Sequence, residues 1–170
     1  PGTNILGFGL IKLNHKKINL IELDVLILNK IKDHDVRLKN IFDKTSYLID
    51  TFNVDEVAIE APFFGKNVQS MLKLGRAQGV AIIASIKKNK KVFEYAPKKI
   101  KLAVTGSGKS SKNQVSSMLI NMLDIKEKPS YFDATDGLAV AVCHALQNNV
   151  ISKDSVKNKN WSDFIKNNPE

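Results

Sequence analysis

One stretch near the end of the chain constrains the fold most, and it reads YFDATDGLAVAVCHALQ from Tyr131 to Gln147. From Leu138 to Leu146 almost every residue is apolar, which predicts a helix buried on all sides. Asp133 and Asp136 stand three positions apart at its start, so their carboxylates share one helix face. Two neighbouring carboxylates on a buried helix are costly unless a cation lies between them. The alternative is an ordinary helix start, where acidic side chains complement the helix dipole.

A third acidic residue, Glu60, ends a short apolar stretch that begins at Val54 and predicts a buried strand. Active sites of open α/β sheets lie at the carboxyl ends of strands, so Glu60 can meet the two aspartates there. Mg²⁺ prefers carboxylate oxygens and shares them with water and phosphate. Two such ions can activate water for phosphodiester cleavage. We therefore predict Glu60, Asp133 and Asp136 as metal-binding catalytic residues; the alternative for Glu60 is a solvated strand end.

The rest of the pattern predicts a mixed α/β sheet, in which an antiparallel hairpin is combined with parallel strands, with helices on both faces. We predict a hairpin of strands over residues 5–13 and 18–28, further strands over 54–60 and 91–95, and helices over 35–52, 67–88, 97–104, 112–123 and 131–147. The length of 170 residues suggests one domain, which we place at residues 1–148. Residues 149–170 are rich in Asn, Lys and Ser, and we predict a polar, flexible tail with a weak docking patch at Trp161, Phe164 and Ile165.

The helix predicted over residues 67–88 is apolar on two sides. One side carries Val68, Met71, Leu72, Gly75, Gly79, Ile82, Ile83 and Ile86, and the other carries Leu74, Ala77, Ala81 and Ala84. A helix of this kind needs two partners. We expect the sheet to cover the first side and some second partner to cover the other, because Leu74, Ala77 and Ala81 are left over once the sheet is covered.

The formal net charge of +9 predicts an anionic partner, most simply nucleic acid, although a merely solvated basic surface is the alternative. Basic residues gather in one segment: Lys98, Lys99, Lys101, Lys109 and Lys112. Within it, TGSGKS from Thr105 to Ser110 is similar to the end of a phosphate-binding P-loop, but Ala103 stands where the first glycine belongs. The residues before it do not resemble a buried strand either. A loop that touches a phosphate backbone fits better.

An aromatic pair, one cysteine, one histidine and the lack of a long apolar run bear on the site, the core and the cellular location. The aromatic pair Phe63 and Phe64 follows Glu60 in a turn, where it is either a core plug or a wedge beside nucleic-acid bases. Cys143 lies within the apolar helix and is expected to be a small core residue. His144 is expected to border the site without being catalytic. No apolar run reaches membrane-spanning length and no secretory signal is visible, so we expect a cytoplasmic protein with no membrane contact.

Four segments in order resemble one family, the RuvC-type Holliday junction resolvases. PGTNILGFG at residues 1–9 resembles the segment that follows that family's first catalytic Asp, and AIEAPFFGKN at residues 58–67 resembles its second motif. VFEYAP at residues 92–97, together with residues 106–115, resembles its basic segment. DATDGLA at residues 133–139 resembles its last motif. The resemblance covers residues 1 to about 148 and leaves out the predicted tail.

The resemblance implies an RNase H-like fold, a homodimer, and paired nicking of four-way DNA junctions with Mg²⁺, for which Mn²⁺ can substitute. The second partner of the helix predicted over residues 67–88 is then a second copy of the chain. It also implies cooperation with the RuvA and RuvB branch-migration proteins. Glu60, Asp133 and Asp136 match the family's metal ligands. Lys101 and Lys112 match basic residues that handle DNA, and Lys109 lies between them; Phe63 matches the aromatic residue next to the junction crossover.

The family pattern also places an Asp, on a central strand, directly before the position of Pro1, where the sequence has no residue. We therefore expect this chain as written to bind junctions poorly and to cut them slowly. The function that we predict is structure-selective junction resolution. The alternatives are a non-catalytic junction-binding module, another RNase H-like nuclease that acts on RNA-containing duplexes, and a P-loop phosphotransferase.

Overall fold

The computed structural model describes residues 4–15, 17–62, 67–126 and 129–154, with side chains up to residue 147. Along these residues the elements are β1 (Ile5–Asn14), β2 (Lys17–Ile27), α1 (His34–Phe52), β3 (Glu56–Glu60), α2 (Val68–Lys87), β4 (Lys91–Tyr95), α3 (Pro97–Thr105), α4 (Lys112–Met122) and α5 (Phe132–Asp154). None of these helices is long and apolar enough to cross a membrane.

The predicted elements are present in the predicted order, with ends that shift by a few residues, as helix and strand ends commonly do. Local capping explains several of these ends. The Asp33 side chain accepts the backbone N–H of Asp35 at the start of α1, and Ser111 with Gln114 forms a capping box at the start of α4. The helix α5 continues to Asp154, past the boundary predicted at residue 148. The predicted docking patch at residues 161–165 lies outside the described residues.

The strands form both the antiparallel and the parallel pairs of the predicted mixed α/β fold, and these pairs are two separate ladders. β1 pairs with β2 as an antiparallel hairpin, and β3 pairs with β4 in parallel. Within the described residues, no ladder joins β1 to β3. Both of these strands line one cleft of about 900 Å³, so the two ladders face each other across it.

The helices cover both faces of the strands, as predicted. On one face, α3, α4 and α5 enclose a core that includes Tyr95, Leu119 and Leu138. On the other face, α1 and α2 enclose a second core that includes Ile41, Ile59 and Ala81. Alternate residues of β3 and β4 point to opposite cores, which is the period of a strand buried on both sides.

Glycines bring α5 into backbone contact with β1. A Cβ atom placed on Gly137 would lie 2.7 Å from the carbonyl carbon of Gly7, and one placed on Gly9 would lie 2.4 Å from the Cα atom of Leu138. Both distances are too short for any side chain, so only glycine permits this approach. The contact sets the start of α5, and with it Asp133 and Asp136, against the start of β1.

The two sides of α2 are the reverse of the prediction. Ala77, Ala81 and Ala84 are buried, whereas Leu72 and Ile83 are more than half exposed. The assignment of Ala77 and Ala81 to a free interface is therefore wrong. Small side chains allow the helix to lie close to the second core, which leaves the larger apolar residues on the outside.

Candidate functional site

The three predicted acidic residues line the same cleft. Glu60 is the last residue of β3, and Asp133 and Asp136 lie in the first two turns of α5. All three are half-buried, and Lys112 from the start of α4 lines the cleft beside them. The site therefore forms where the end of a strand meets the starts of two helices, although its members are distant in sequence.

Lys112 makes the closest contact in this group. Its Nζ atom lies 2.5 Å from Oδ2 of Asp136. The position follows from local structure, because Ser111 caps α4 and makes Lys112 its first residue, and α4 packs beside α5 in the first core. An ammonium group is thereby held against one of the predicted metal ligands.

The charges of the cleft influence one another. Burial raises the pKa of Glu60 above its ordinary value, and the negative charge of Asp136 raises it further, while Lys112 and Lys101 oppose the shift. Burial lowers the pKa of Lys112, but its hydrogen bond to Asp136 and the charges of Asp136, Asp133 and Glu60 outweigh that effect and raise it overall. The cleft therefore favours a positive charge near its carboxylates and disfavours an uncompensated Glu60 anion.

The donor set suits a hard divalent cation, but the carboxylates do not gather as closely as predicted. Among the residues that the structure describes, no three His, Cys, Asp or Glu side chains are grouped so that they could hold a metal ion by themselves. Mg²⁺ is commonly held by only one or two carboxylates, with water and substrate phosphate completing the shell. The residues therefore fit an ion whose coordination the DNA completes, and Glu60, Asp133 and Asp136 are the side chains that would hold it.

The predicted DNA-binding residues have different positions. Lys101 on α3 is near enough for its charge to lower the pKa of Glu60. Lys109 lies in the loop after α3 and lines a second, smaller pocket with Thr105 and Ser110. Phe63 lies outside the described residues. Of the two lysines, Lys101 is the one whose charge acts on a carboxylate of the cleft.

The loop that is similar to a P-loop is preceded by a helix. The helix α3 runs into Thr105, and Gly106 ends it with a φ of 75°. The Thr105 and Ser110 hydroxyls then lie 2.7 Å apart and bridge the loop's two ends. A P-loop must follow a buried strand, so the structure excludes a P-loop phosphotransferase.

A buried polar network at the other end of the cleft could not be found from the sequence. His144 accepts or donates a hydrogen bond at 2.7 Å to Tyr95 and at 2.9 Å to Glu56. It lines the same cleft as the carboxylates, as expected of a residue bordering the site. Its partners lie on β4 and at the start of β3, and no local spacing signals a network of residues so far apart.

Comparisons of the sequence with known proteins find one family. The family model described as "Crossover junction endodeoxyribonuclease RuvC" matches residues 1–144. Curated relatives of that name from Cytophaga hutchinsonii and Christiangramia forsetii are each 54% identical over the whole of this chain, which covers 84% and 88% of their lengths.

Solved structures agree as well. The chain is similar to Thermus thermophilus RuvC, with a TM-score of 0.79, and to T. thermophilus RuvC in complex with Holliday junction substrate, with a TM-score of 0.82. In both comparisons the two sequences are 27% identical, and the match covers 88% of this chain and 92% of the T. thermophilus chain. The fold is thus RNase H-like, as expected, and the chain belongs to the RuvC family of crossover junction endodeoxyribonucleases.

Proposed function

We propose that this protein is a structure-selective endonuclease that resolves four-way (Holliday) DNA junctions by paired, metal-dependent nicking during recombination and repair. The observation that carries the proposal is the shared cleft of Glu60, Asp133 and Asp136 with Lys112. Carboxylates and lysines together suit phosphodiester chemistry, because the first bind a cation and the second bind phosphate. Family membership and a relative solved with a Holliday junction support the choice of substrate.

Each residue has a separate part in this chemistry. We propose Mg²⁺, with Mn²⁺ as a substitute, as the cofactor; when bound, it activates water and stabilises the leaving oxygen. Glu60, Asp133 and Asp136 would hold the cofactor. Burial disfavours the ionised form of Glu60, and a bound cation would offset this cost. Lys112 and Lys101 neutralise the scissile phosphate and its neighbours.

The DNA interface extends beyond the cleft. The net charge of +9 supports binding to a phosphate backbone, and Lys109 lies in a polar loop at the end of α3. We propose that this loop binds an arm of the junction. By resemblance, Phe63 lies next to the crossover and stacks on a base there.

A homodimer supplies the two nicks. The exposed face of α2 carries Val68, Leu72, Ile83 and Ile86, with Gly75 and Gly79 between them. A Cβ atom on either glycine would meet nothing within 4 Å, so a second helix can approach the backbone closely there. We propose this face as the two-fold interface, which would match two active sites to a two-fold substrate.

The family resemblance also suggests protein partners and a cellular location. We propose that the dimer acts with the RuvA and RuvB branch-migration proteins, which the resemblance implies. We propose the cytoplasm as its location, because the proposed substrate is junction DNA.

The test is a nicking assay on a four-way junction labelled in turn on each strand, with Mg²⁺. We expect symmetric nicks in two opposite strands, and a loss of roughly hundredfold or more in Asp136→Asn. Asp43→Asn, on the exposed side of α1, is the matched control and should nick normally. Junction binding with no nicking in any divalent ion would favour the non-catalytic alternative, and preferential cutting of RNA–DNA hybrids would favour another RNase H-like nuclease.

A further inference from the structure

Lys112 is the one lysine of the described residues that pairs with a predicted metal ligand, and it reaches the cleft from the solvent side. Its side chain is 66% exposed, and that of Asp136 is 36% exposed, while their charged atoms lie 2.5 Å apart. The backbone of Lys112 is fixed by the capping box at the start of α4, but its four-carbon side chain is free to move to other positions. The ammonium group can therefore leave Asp136 without a change in the fold.

Lys112 and a divalent cation need the same group. A carboxylate oxygen that accepts a short bond from an ammonium group has less charge to offer a second cation. The two positive charges would also repel each other within one cleft, where Lys112 interacts with Glu60 and Asp133 as well as Asp136. Binding of one cation at Asp136 must therefore weaken binding of the other.

On the basis of the function proposed above, we propose that Lys112 is an exchangeable counter-cation: its ammonium group and the divalent ion compete for Asp136, and the ion releases Lys112 to bind a DNA phosphate. Metal binding and DNA binding are then coupled through a single side chain. Because such coupling is reciprocal, junction DNA should also tighten the binding of the ion. Lys112 is therefore a positioning residue, because it couples binding of the ion to binding of the DNA.

The first test measures Mn²⁺ binding to the protein alone, by electron paramagnetic resonance of the free ion. Lys112→Ala should bind Mn²⁺ about two- to fivefold more tightly than the parent, the scale of an exposed ion pair. Two control variants distinguish loss of the Lys112–Asp136 ion pair from the general effect of removing a positive charge. Lys101→Ala removes a charge that acts on Glu60 without a bond to a cleft carboxylate, and Lys39→Ala removes an exposed partner of Asp43 on α1.

We expect Lys112→Ala to bind Mn²⁺ most tightly and Lys101→Ala to bind it less tightly than Lys112→Ala. Lys39→Ala should bind it as tightly as the parent. An affinity of Lys112→Ala that is no higher than that of Lys101→Ala would overturn the exchange, because the bond to Asp136 would then be irrelevant to the ion.

The second test measures the salt dependence of junction binding in a chelator and in Ca²⁺. In the chelator, Lys112 remains at Asp136, so Lys112→Ala should have the slope of the parent. In Ca²⁺, the slope of Lys112→Ala should be smaller by about 0.9, the value for one phosphate contact on duplex DNA. Lys101→Ala should lose a similar amount in both solutions. A loss of slope for Lys112→Ala that is the same in both solutions would overturn the proposal.

The outcomes for the parent protein distinguish the two proposals. If the parent binds Mn²⁺ and nicks junctions but Lys112→Ala does not bind the ion more tightly, the exchange is wrong and the proposed function stands. If the parent neither binds Mn²⁺ nor nicks junctions, the proposed function is wrong, and the exchange that depends on it is wrong too.

Discussion

The hydroxyl of Tyr95 lies 2.7 Å from Nδ1 of His144, and this bond joins β4 to α5 inside the core. On the other side of the imidazole ring, Nε2 lies 2.9 Å from Oε2 of Glu56 at the start of β3. His144 is only 9% exposed, so its ring nitrogens need such partners. The network therefore holds α5 at one position along the β3–β4 ladder, and this position sets the distance between the acidic start of α5 and the end of β3.

Tyr95→Phe should destabilise the protein by about 1–3 kcal/mol, because the buried His144 Nδ1 atom loses its hydroxyl partner. Urea unfolding followed by circular dichroism measures the change. Tyr47→Phe is the matched control, since Tyr47 is 58% exposed, and it should alter the free energy of unfolding by less than about 0.5 kcal/mol. Equal effects of the two substitutions would show that the Tyr95 hydroxyl does not stabilise the fold.

Glu60→Gln should stabilise the protein at neutral pH while abolishing nicking. Because burial raises the pKa of Glu60, the folded state holds this proton more tightly than the unfolded chain does. The stability that Glu60 contributes is therefore complete below the ordinary glutamate pKa and is lost as the pH rises through the folded-state value. At pH 7 the glutamine variant should gain roughly 0.5–2 kcal/mol, the common range for a stabilising substitution.

The gain from Glu60→Gln should shrink as the pH falls and should vanish below about pH 4, where the parent carboxyl is also neutral. Unfolding curves for both proteins across this pH range measure the difference. Glu22→Gln on β2 serves as the control for the loss of one charge. A stability difference that stays constant with pH would show that the ionisation of Glu60 does not oppose folding.

The sequence predicts the order of the elements and a common cleft for the three acids, because both depend on local signals, whereas it predicts a closer gathering of the carboxylates than the structure has. A strand-end Glu60 and the spacing of Asp133 and Asp136 are enough to bring the three acids to one cleft once the strand and the helix are recognised. The bond between Lys112 and Asp136 is different, since it depends on how α4 packs beside α5. The resemblance names both residues without indicating that they touch.

The faces of α2 show why hydrophobic periodicity alone does not predict which side of a helix is buried. Both sides of this helix are apolar, so the pattern alone cannot tell which side is buried. Volume decides the question, because Ala77, Ala81 and Ala84 fit a close approach to the second core, whereas Leu72 and Ile83 do not. The same lack of a local signal applies to the separate ladders, since pairing between distant strands is a property of the whole fold.

Leu72→Glu should convert the proposed dimer to monomers and should remove paired nicking. Leu72 is 54% exposed on the face with Ile83, and a charge there would have to be buried against the second copy. Sedimentation velocity measures the oligomeric state. Lys73→Glu, on the neighbouring exposed residue that points away from this face, should stay dimeric. A Leu72→Glu protein that remains a dimer would place the interface elsewhere.

Gly137→Ala should destabilise the protein by about 1–3 kcal/mol and should lower nicking. The added methyl group would lie 2.7 Å from the backbone of Gly7, so α5 and β1 would have to move apart and displace the acidic residues. Thermal unfolding and the nicking rate measure the two effects. Ser117→Ala, on the exposed side of α4, is the control and should be nearly neutral. Unchanged stability of Gly137→Ala would mean that this close contact is absent in solution.

Adding an apolar strand of about five residues that ends in Asp directly before Pro1 should raise both stability and nicking. The start of β1 contacts the start of α5, and the end of β3 faces the same acidic group, so β1 and β3 run in opposite directions along the cleft between them. An added strand could therefore pair with both and join the two ladders into one sheet. Strand pairing would satisfy backbone groups along the cleft, and apolar side chains would fill it.

Two further versions of this added strand separate stability from chemistry. With Asn in place of the final Asp, the strand should stabilise the fold equally but should not raise nicking, because the resemblance assigns a metal ligand to that Asp. With Pro at its centre, the strand should neither stabilise the fold nor raise nicking, because proline removes a ladder hydrogen bond. The measurements are the urea midpoint and the rate of symmetric nicking in Mg²⁺ on a four-way junction. If the chain without the added strand nicks as fast as the version ending in Asp, that carboxylate is not needed, and the proposed mechanism must work with Glu60, Asp133 and Asp136 alone.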